Sequence, residues 1–127
     1  MAQLEHVNIT VSDADRTAAW LGEVFGWSVR WQGSSMDGAG RTIHVGTDSR
    51  YIALYEPRDM GAKDHDTYRT PAGLNHVGVT VDNLDEMAEK VRAAGFTPGP
   101  HHDYEPGRRF YFDDADGIEW ELVDYST

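Results

Sequence analysis

The sequence predicts an α+β fold in which one β-α-β-β-β module occurs twice, giving a mixed sheet with helices on the outside. Three observations predict it. Leu4-Glu5-His6-Val7-Asn8-Ile9-Thr10-Val11 returns as Leu74-Asn75-His76-Val77-Gly78-Val79-Thr80-Val81, at a constant offset of 70 residues (76 − 6). Each copy runs into a capped amphipathic helix that stops at a glycine. Three short β-type runs follow each helix. Module one is assigned to residues 1–57, a linker to 58–72 and module two to 73–127, within a single domain. About 55 residues per module is small for an independent core.

The elements follow in order. In the first helix Ser12 precedes Asp15 by three as a cap, and Ala14, Ala18, Leu21 and Phe25 recur at helical spacing until Gly26. Strands are predicted near Trp27–Gln32, Arg41–Thr47 and Arg50–Glu56, with Thr47-Asp48-Ser49-Arg50 as the turn between the last two. The stretch from Pro57 to Ala72 has no period and reads as a loop or arm. In the second helix Asp82 precedes Asp85, and Leu84, Met87, Ala88 and Val91 lead to Gly95. Strands are then predicted near Thr97–Asp103, Arg108–Asp113 and Ile118–Asp124. Asp114-Ala115-Asp116-Gly117 is the closing turn, with glycine free to take positive φ.

Composition excludes whole classes of function. The chain has 127 residues, 39% hydrophobic and 26% charged, as expected of a globular domain. No apolar run approaches the roughly 20 residues of a membrane span. The N-terminus shows no basic region followed by an apolar block, so a cytoplasmic protein is expected. It has no cysteine, which removes disulfides, zinc–thiolate sites, iron–sulfur clusters and thiol catalysis. Twenty-two acids against eleven bases give a net charge of −11, which repels nucleic acid. The expected partner is a small molecule.

Side chains alternate along a strand, so parity sorts them into faces. Val7, Ile9 and Val11 oppose His6, Asn8 and Thr10. Val77, Val79 and Val81 oppose His76, Gly78 and Thr80. Ile118, Trp120 and Leu122 oppose Glu119, Glu121 and Val123, and Ile52 and Leu54 oppose Tyr51, Ala53 and Tyr55. Phe110 and Phe112 oppose Arg109 and Tyr111, and Ile43 and Val45 oppose Thr42 and His44. One face is thus apolar, while the other collects histidines, glutamates, tyrosines and an arginine. A lone strand histidine is more often a hydrogen-bonded residue than a ligand. Two in register, with Glu121 on the same face, point instead to a site for one divalent metal per chain, held by His6, His76 and Glu121. Imidazole and carboxylate suit iron, zinc, nickel, manganese or cobalt, with positions left open for substrate. His65, His101 and His102 fall in loop or hairpin-edge contexts and are expected to face solvent, as is Glu119 at the rim. The four tryptophans are expected in the core or in dimer contacts.

Paired modules opening on Leu-x-His-Val and closing on Asp114-Ala115-Asp116-Gly117-Ile118-Glu119-Trp120-Glu121-Leu122 resemble the vicinal oxygen chelate superfamily of glyoxalases, bleomycin resistance proteins and extradiol dioxygenases. The resemblance covers nearly the whole chain. Ala115 and Ile118 replace the proline and asparagine of the family's closing motif, and its glutamate is kept as Glu121. The resemblance implies a cupped, barrel-like sheet with the metal in the cup. Its four ligand positions fall on His6, Ala53, His76 and Glu121, so the carboxylate usual in glyoxalase I is missing at Ala53. The remaining set is similar to the His-His-Glu triad of extradiol dioxygenases and metal-dependent fosfomycin resistance enzymes. Fosfomycin transfer itself fits less well, because a phosphonate pocket needs several cations and this face offers mainly Arg109.

The implied chemistry is chelation of two neighbouring substrate oxygens, in a dioxygenase or an isomerase/lyase. Glu121, His44 and Tyr111 are the candidate proton-transfer groups. Arg109 would hold a substrate carboxylate, with Tyr51 and Asn8 as further substrate contacts. The alternatives are a non-catalytic small-molecule or drug-binding (antibiotic resistance) protein, and a protein with a structural metal. Sheet edges left by such small modules, together with the family's habit of pairing them, imply a homodimer.

Overall fold

The computed structural model describes residues 1–35, 38–63 and 66–126. His65 therefore lies outside the described residues. The chain forms two compact units, Met1–Ala62 and Lys63–Thr127. Their joint falls inside the predicted 58–72 linker.

The first unit holds β1 (His6–Thr10), α1 (Ala14–Phe25), β2 (Ser28–Ser34), β3 (Gly40–Gly46) and β4 (Tyr51–Pro57). The second holds β5 (His76–Thr80), α2 (Leu84–Ala93), β6 (His102–Tyr104), β7 (Gly107–Asp113) and β8 (Glu119–Asp124). Each unit has one open four-stranded mixed sheet, ordered β1-β4-β3-β2 in the first and β5-β8-β7-β6 in the second. β1 is parallel to β4 and β5 to β8; the other pairs are antiparallel. The twofold β-α-β-β-β reading of the sequence is therefore what the chain adopts.

Both helix caps lie one residue later than predicted. Asp13, not Ser12, caps α1, accepting from Arg16 N at 3.0 Å. Asn83, not Asp82, caps α2, accepting from Glu86 N at 3.1 Å. A capping oxygen accepts from the amide three residues on, and Ser12 and Asp13 both carry such an acceptor. Position decides: Ala14 N is taken by Glu56 Oε1 at 2.8 Å, which seats the helix start against β4. The glycine stops hold. Gly26 sits at φ 72°, and Gly95 at φ 99° follows the α2 cap, with Phe96 N bonding back to Val91 O at 3.1 Å.

The apolar stripes bury as the period requires. Ala14, Ala18, Trp20, Leu21 and Val24 of α1 pack with the β3 and β4 residues Ile43, Val45, Ile52 and Leu54. Leu84, Ala88 and Val91 of α2 face Phe110, Phe112, Trp120 and Leu122 of β7 and β8. Each fully buried large side chain contributes about 1.5–3 kcal/mol.

One predicted strand is mostly absent. The run Thr97–Asp103 pairs only from His102, because Pro98 and Pro100 lack the N–H a ladder needs. Gly99 N still reaches Tyr111 O at 2.8 Å.

The β7–β8 turn is pinned by Asp114. Its Oδ1 accepts from Asp116 N at 2.9 Å and Ile118 N at 3.0 Å, and its Oδ2 from the Trp120 indole at 3.1 Å. Burial pushes its carboxyl above the usual range, against the lowering effect of those bonds. Asp114→Ala should remove the carboxylate that accepts from the indole N–H and two backbone amides. The expected loss is about 3 kcal/mol in urea denaturation; an unchanged midpoint would show that water replaces the carboxylate at no cost.

Candidate functional site

Register places the ligand-type residues before any side chain is considered. β1 pairs His6 with Tyr51 and Asn8 with Ala53; β5 pairs His76 with Glu119 and Gly78 with Glu121. Ala53 therefore holds in β4 the rung that Glu121 holds in β8. That equivalence is the one the family resemblance implied; the offset of 70 alone would match Glu121 with Tyr51.

In the second unit Glu121 is the hub. It is 9% exposed. Its Oε2 accepts from Arg109 Nη1 at 2.7 Å and from the Tyr111 hydroxyl at 2.9 Å. Its Oε1 lies 3.3 Å from His76 Nε2. Both donors to Oε2 come from β7: Tyr111 is directly opposite Glu121, and Arg109 is opposite Val123, two residues along. Gly78 stands on the rung beside Glu121, where a Cβ would make only an ordinary contact of 3.8 Å with Glu121 Oε1.

The electrostatics follow from these contacts. Burial works to raise the Glu121 carboxyl, but hydrogen bonds from Arg109 and Tyr111 and the charges of Arg109 and His76 outweigh it. The net shift is downward, so Glu121 is ionised at neutral pH. Burial and the bond to Glu121 push the Tyr111 phenol up, so it stays protonated and acts as a donor. The hydrogen bond to Glu121 raises Arg109 further, and the guanidinium also lies 4.9 Å over the Tyr104 ring. One of its two terminal nitrogens is thus committed to Glu121, and the other reaches Gly107 O at 3.4 Å.

In the first unit the corresponding face carries a row of rings, one from each strand. His6 stacks on Tyr51 at 4.8 Å, Tyr51 on His44 at 4.5 Å, and His44 meets Trp31 at 5.0 Å. Arg30 lies 4.6 Å over Tyr51. His6 Nδ1 is 2.8 Å from Glu5 Oε1, which leaves Nε2 as its free ligand atom for the role expected of it. The bond to His6 lowers Glu5 below the usual carboxylate range. Burial, with the nearby charges of His6 and Arg30, lowers His44, so its imidazole is neutral at pH 7. Asn8 is exposed on β1 and Ala53 is buried on β4.

The structure thus brings His76, Glu121, Arg109 and Tyr111 together in one unit, and His6, Tyr51 and His44 together in the other. Among the described residues no group of three His, Asp or Glu side chains is arranged to hold a metal. The donor chemistry of the second unit does fit one. Two ligands at about 2.1 Å from one ion lie about 3 Å apart when they subtend a right angle, close to the 3.3 Å between His76 Nε2 and Glu121 Oε1.

Glu119 departs from the rim position expected of it. Its Oε1 accepts from the Tyr68 hydroxyl and lies 3.8 Å from His76 Nδ1. Parity already placed Glu119 on the ligand face; Tyr68, in the aperiodic linker, carried no signal. Of the tryptophans expected in the core or in dimer contacts, Trp31 is outside the core, 49% exposed on an edge strand.

The family model for the Glyoxalase/Bleomycin resistance protein/Dioxygenase superfamily matches residues 3–122. No curated protein matches the chain. Among solved structures, a glyoxylase/bleomycin resistance protein/dioxygenase domain from Frankia sp. EAN1pec is 28% identical, with 97% of each chain covered and a TM-score of 0.81. The fosfomycin resistance protein FosX from Listeria monocytogenes, as a mutant complexed with Mn(II) and 1S,2S-dihydroxypropylphosphonic acid, is 20% identical. That match covers 100% of this chain and 94% of that one, at a TM-score of 0.73. TnmS3, an antibiotic-binding protein from Streptomyces sp. CB03234, is 18% identical over 99% and 98% of the two chains, at 0.72. The last two show a shared fold.

Proposed function

This chain belongs to the Glyoxalase/Bleomycin resistance protein/Dioxygenase superfamily, and from that premise we propose that it is a metal-dependent enzyme acting on a small substrate with two neighbouring oxygens, as a dioxygenase or an isomerase/lyase. The observation that carries this reading is the His76–Glu121 pair. An imidazole nitrogen and a carboxylate oxygen stand 3.3 Å apart, with the carboxylate's other oxygen held by Arg109 and Tyr111. That bracing offsets the burial of the carboxylate and keeps it charged, with Oε1 on the His76 side.

A divalent metal bound there would act as a Lewis acid on the chelated oxygens. The protein's own residues do the rest. Arg109 keeps Glu121 ionised and fixed. Tyr111, held protonated, donates a hydrogen bond on the same face. In the first unit His44, stacked on Tyr51, is held neutral and so can accept a proton near pH 7. Arg109 reaches a substrate carboxylate only with donors that Glu121 does not use. Ala53 leaves the fourth family position without a donor.

The test is elemental analysis of protein purified without chelators, then turnover assays on catechols and glutathione hemithioacetals. One metal per chain is expected. A chain that purifies metal-free and gains none on reconstitution would overturn the reading. The second reading, non-catalytic binding of a small molecule or drug, is favoured by the ring row His6–Tyr51–His44–Trp31, a stacking surface for a flat ligand. Saturable binding without product would select it.

We also place the protein in the cytoplasm and read it as a homodimer. No helix among the described residues is long and apolar enough to cross a membrane. Within their own sheets β1 and β5 are edge strands, and Leu4 and Val7 are exposed beside one of them. Light scattering should give twice 14.2 kDa; a persistent monomer at micromolar concentration would refute the dimer.

A further inference from the structure

His76 has two ring nitrogens, and the metal reading uses one. The other, Nδ1, is buried and has no hydrogen-bond partner. Glu119 Oε1 stands 3.8 Å from it. Glu119 is the cross-strand partner of His76, so the two side chains leave the sheet side by side. Glu119 in turn accepts the Tyr68 hydroxyl.

Tyr68 is not there by chance of a loose loop. Its own N–H bonds Asp66 Oδ1 at 2.9 Å, and Thr70 N bonds Asp66 O at 3.0 Å. The Asn75 side chain donates to Thr67 O at 3.2 Å. Gly73 lets the turn close, since a Cβ there would meet Thr67 O at 2.5 Å. The segment is folded back onto the start of β5, which carries His76.

We propose that Tyr68 and Glu119 are positioning residues for His76: Tyr68 holds Glu119 beside the ring, Glu119 accepts the Nδ1 proton, and Nε2 keeps its lone pair on the Glu121 side. A neutral imidazole carries one proton, and the acceptor at one nitrogen decides which nitrogen is left free. Two carboxylates compete for that proton. Glu121 already accepts a guanidinium and a phenol through Oε2, so its charge is largely matched. Glu119 receives a neutral phenol, and keeps more of its charge for the imidazole. A small side-chain rotation closes 3.8 Å to hydrogen-bond distance. The use of this arrangement rests on the metal-site reading, because a ligating histidine needs an unprotonated nitrogen, but the tautomer does not depend on it.

The test begins with metal-free, 15N-histidine-labelled full-length protein near pH 8, above the usual imidazole titration at about 6.5. The 15N shifts of His76 report which nitrogen is protonated. Wild type should carry the proton mainly on Nδ1. Glu119→Ala should move it toward Nε2, Tyr68→Phe should move it the same way by less, and Glu119→Gln, whose carbonyl still accepts, should recover most of the wild-type pattern. On zinc loading, Glu119→Ala should bind about tenfold more weakly than wild type. Tyr68 is exposed, so Tyr68→Phe carries the test if Glu119→Ala fails to fold. Identical His76 shifts in wild type and in both Glu119→Ala and Tyr68→Phe, or a wild-type proton on Nε2, would overturn the proposal. Zinc binding that is equal in all of them, with unchanged shifts, sinks the positioning and leaves the metal reading intact. A tautomer that responds in a protein unable to bind zinc does the reverse.

Discussion

His76→Ala should abolish stoichiometric divalent-metal binding, weakening the dissociation constant by about two orders of magnitude or more. The expectation follows from how few donors the site has. Glu121 has Oε2 committed to Arg109 and Tyr111, and Oε1 faces His76 Nε2 at 3.3 Å. Loss of the imidazole removes the one nitrogen donor beside Glu121, and the nearby Glu119 carboxylate is turned toward Tyr68. Removing a group that only orients a ligating side chain commonly costs about 10–100-fold, so about a hundredfold is a floor for a direct ligand. The fold should survive, because the His76 side chain is 33% exposed on an edge strand; the expected stability change is within about 1 kcal/mol. Calorimetric titration with zinc and manganese measures the effect, with His44→Ala as the variant that keeps its metal. If His76→Ala binds as tightly as wild type, the ligand assignment is wrong.

The sequence made that residue readable because it sits on a repeat. The offset of 70 put His6 and His76 at the same place in two modules, and parity put Glu121 on the face of His76. Both are local rules, and both survive in the β5–β8 ladder. What local rules miss is anything set by competition or distance. Ser12 and Asp13 are alike as caps, and only the bond of Glu56 to Ala14 N, 42 residues away, shows where α1 is anchored. Thr97-Pro98-Gly99-Pro100 alternates like a strand, but its prolines withhold the donors, so β6 keeps three residues. Glu119 was on the right face and was read as a rim charge, because its partner Tyr68 is 51 residues away in a segment with no pattern. Arg109 was legible as a cation on the face, but not as one already paired with Glu121.

That pairing yields the second large effect. Arg109→Ala should lower the folded-to-unfolded ratio on the order of a hundredfold at neutral pH, with the deficit shrinking as the pH falls. In the wild type the Glu121 carboxyl is held below its ordinary value of 4.5, chiefly because Arg109 and Tyr111 outweigh burial. A depressed folded pKa means a stabilising contribution that is complete above the ordinary value and is lost as pH falls through the folded one. Without Arg109 the balance reverses. Burial, the largest influence on Glu121, is then opposed mainly by one phenol and by His76, and the carboxyl moves up. An elevated folded pKa penalises the native state at neutral pH, and the penalty fades as the carboxyl protonates. Urea midpoints across pH 7 to 3 should therefore converge for the two proteins toward the acid end. Arg109→Lys separates charge from geometry: it restores the cation but not the planar guanidinium that stacks over Tyr104 while reaching Glu121. It should recover the pH dependence in part. Parallel midpoint curves for wild type and Arg109→Ala would mean that solvent, not Arg109, keeps Glu121 ionised, and the carboxylate would then be less rigidly held than a metal ligand needs.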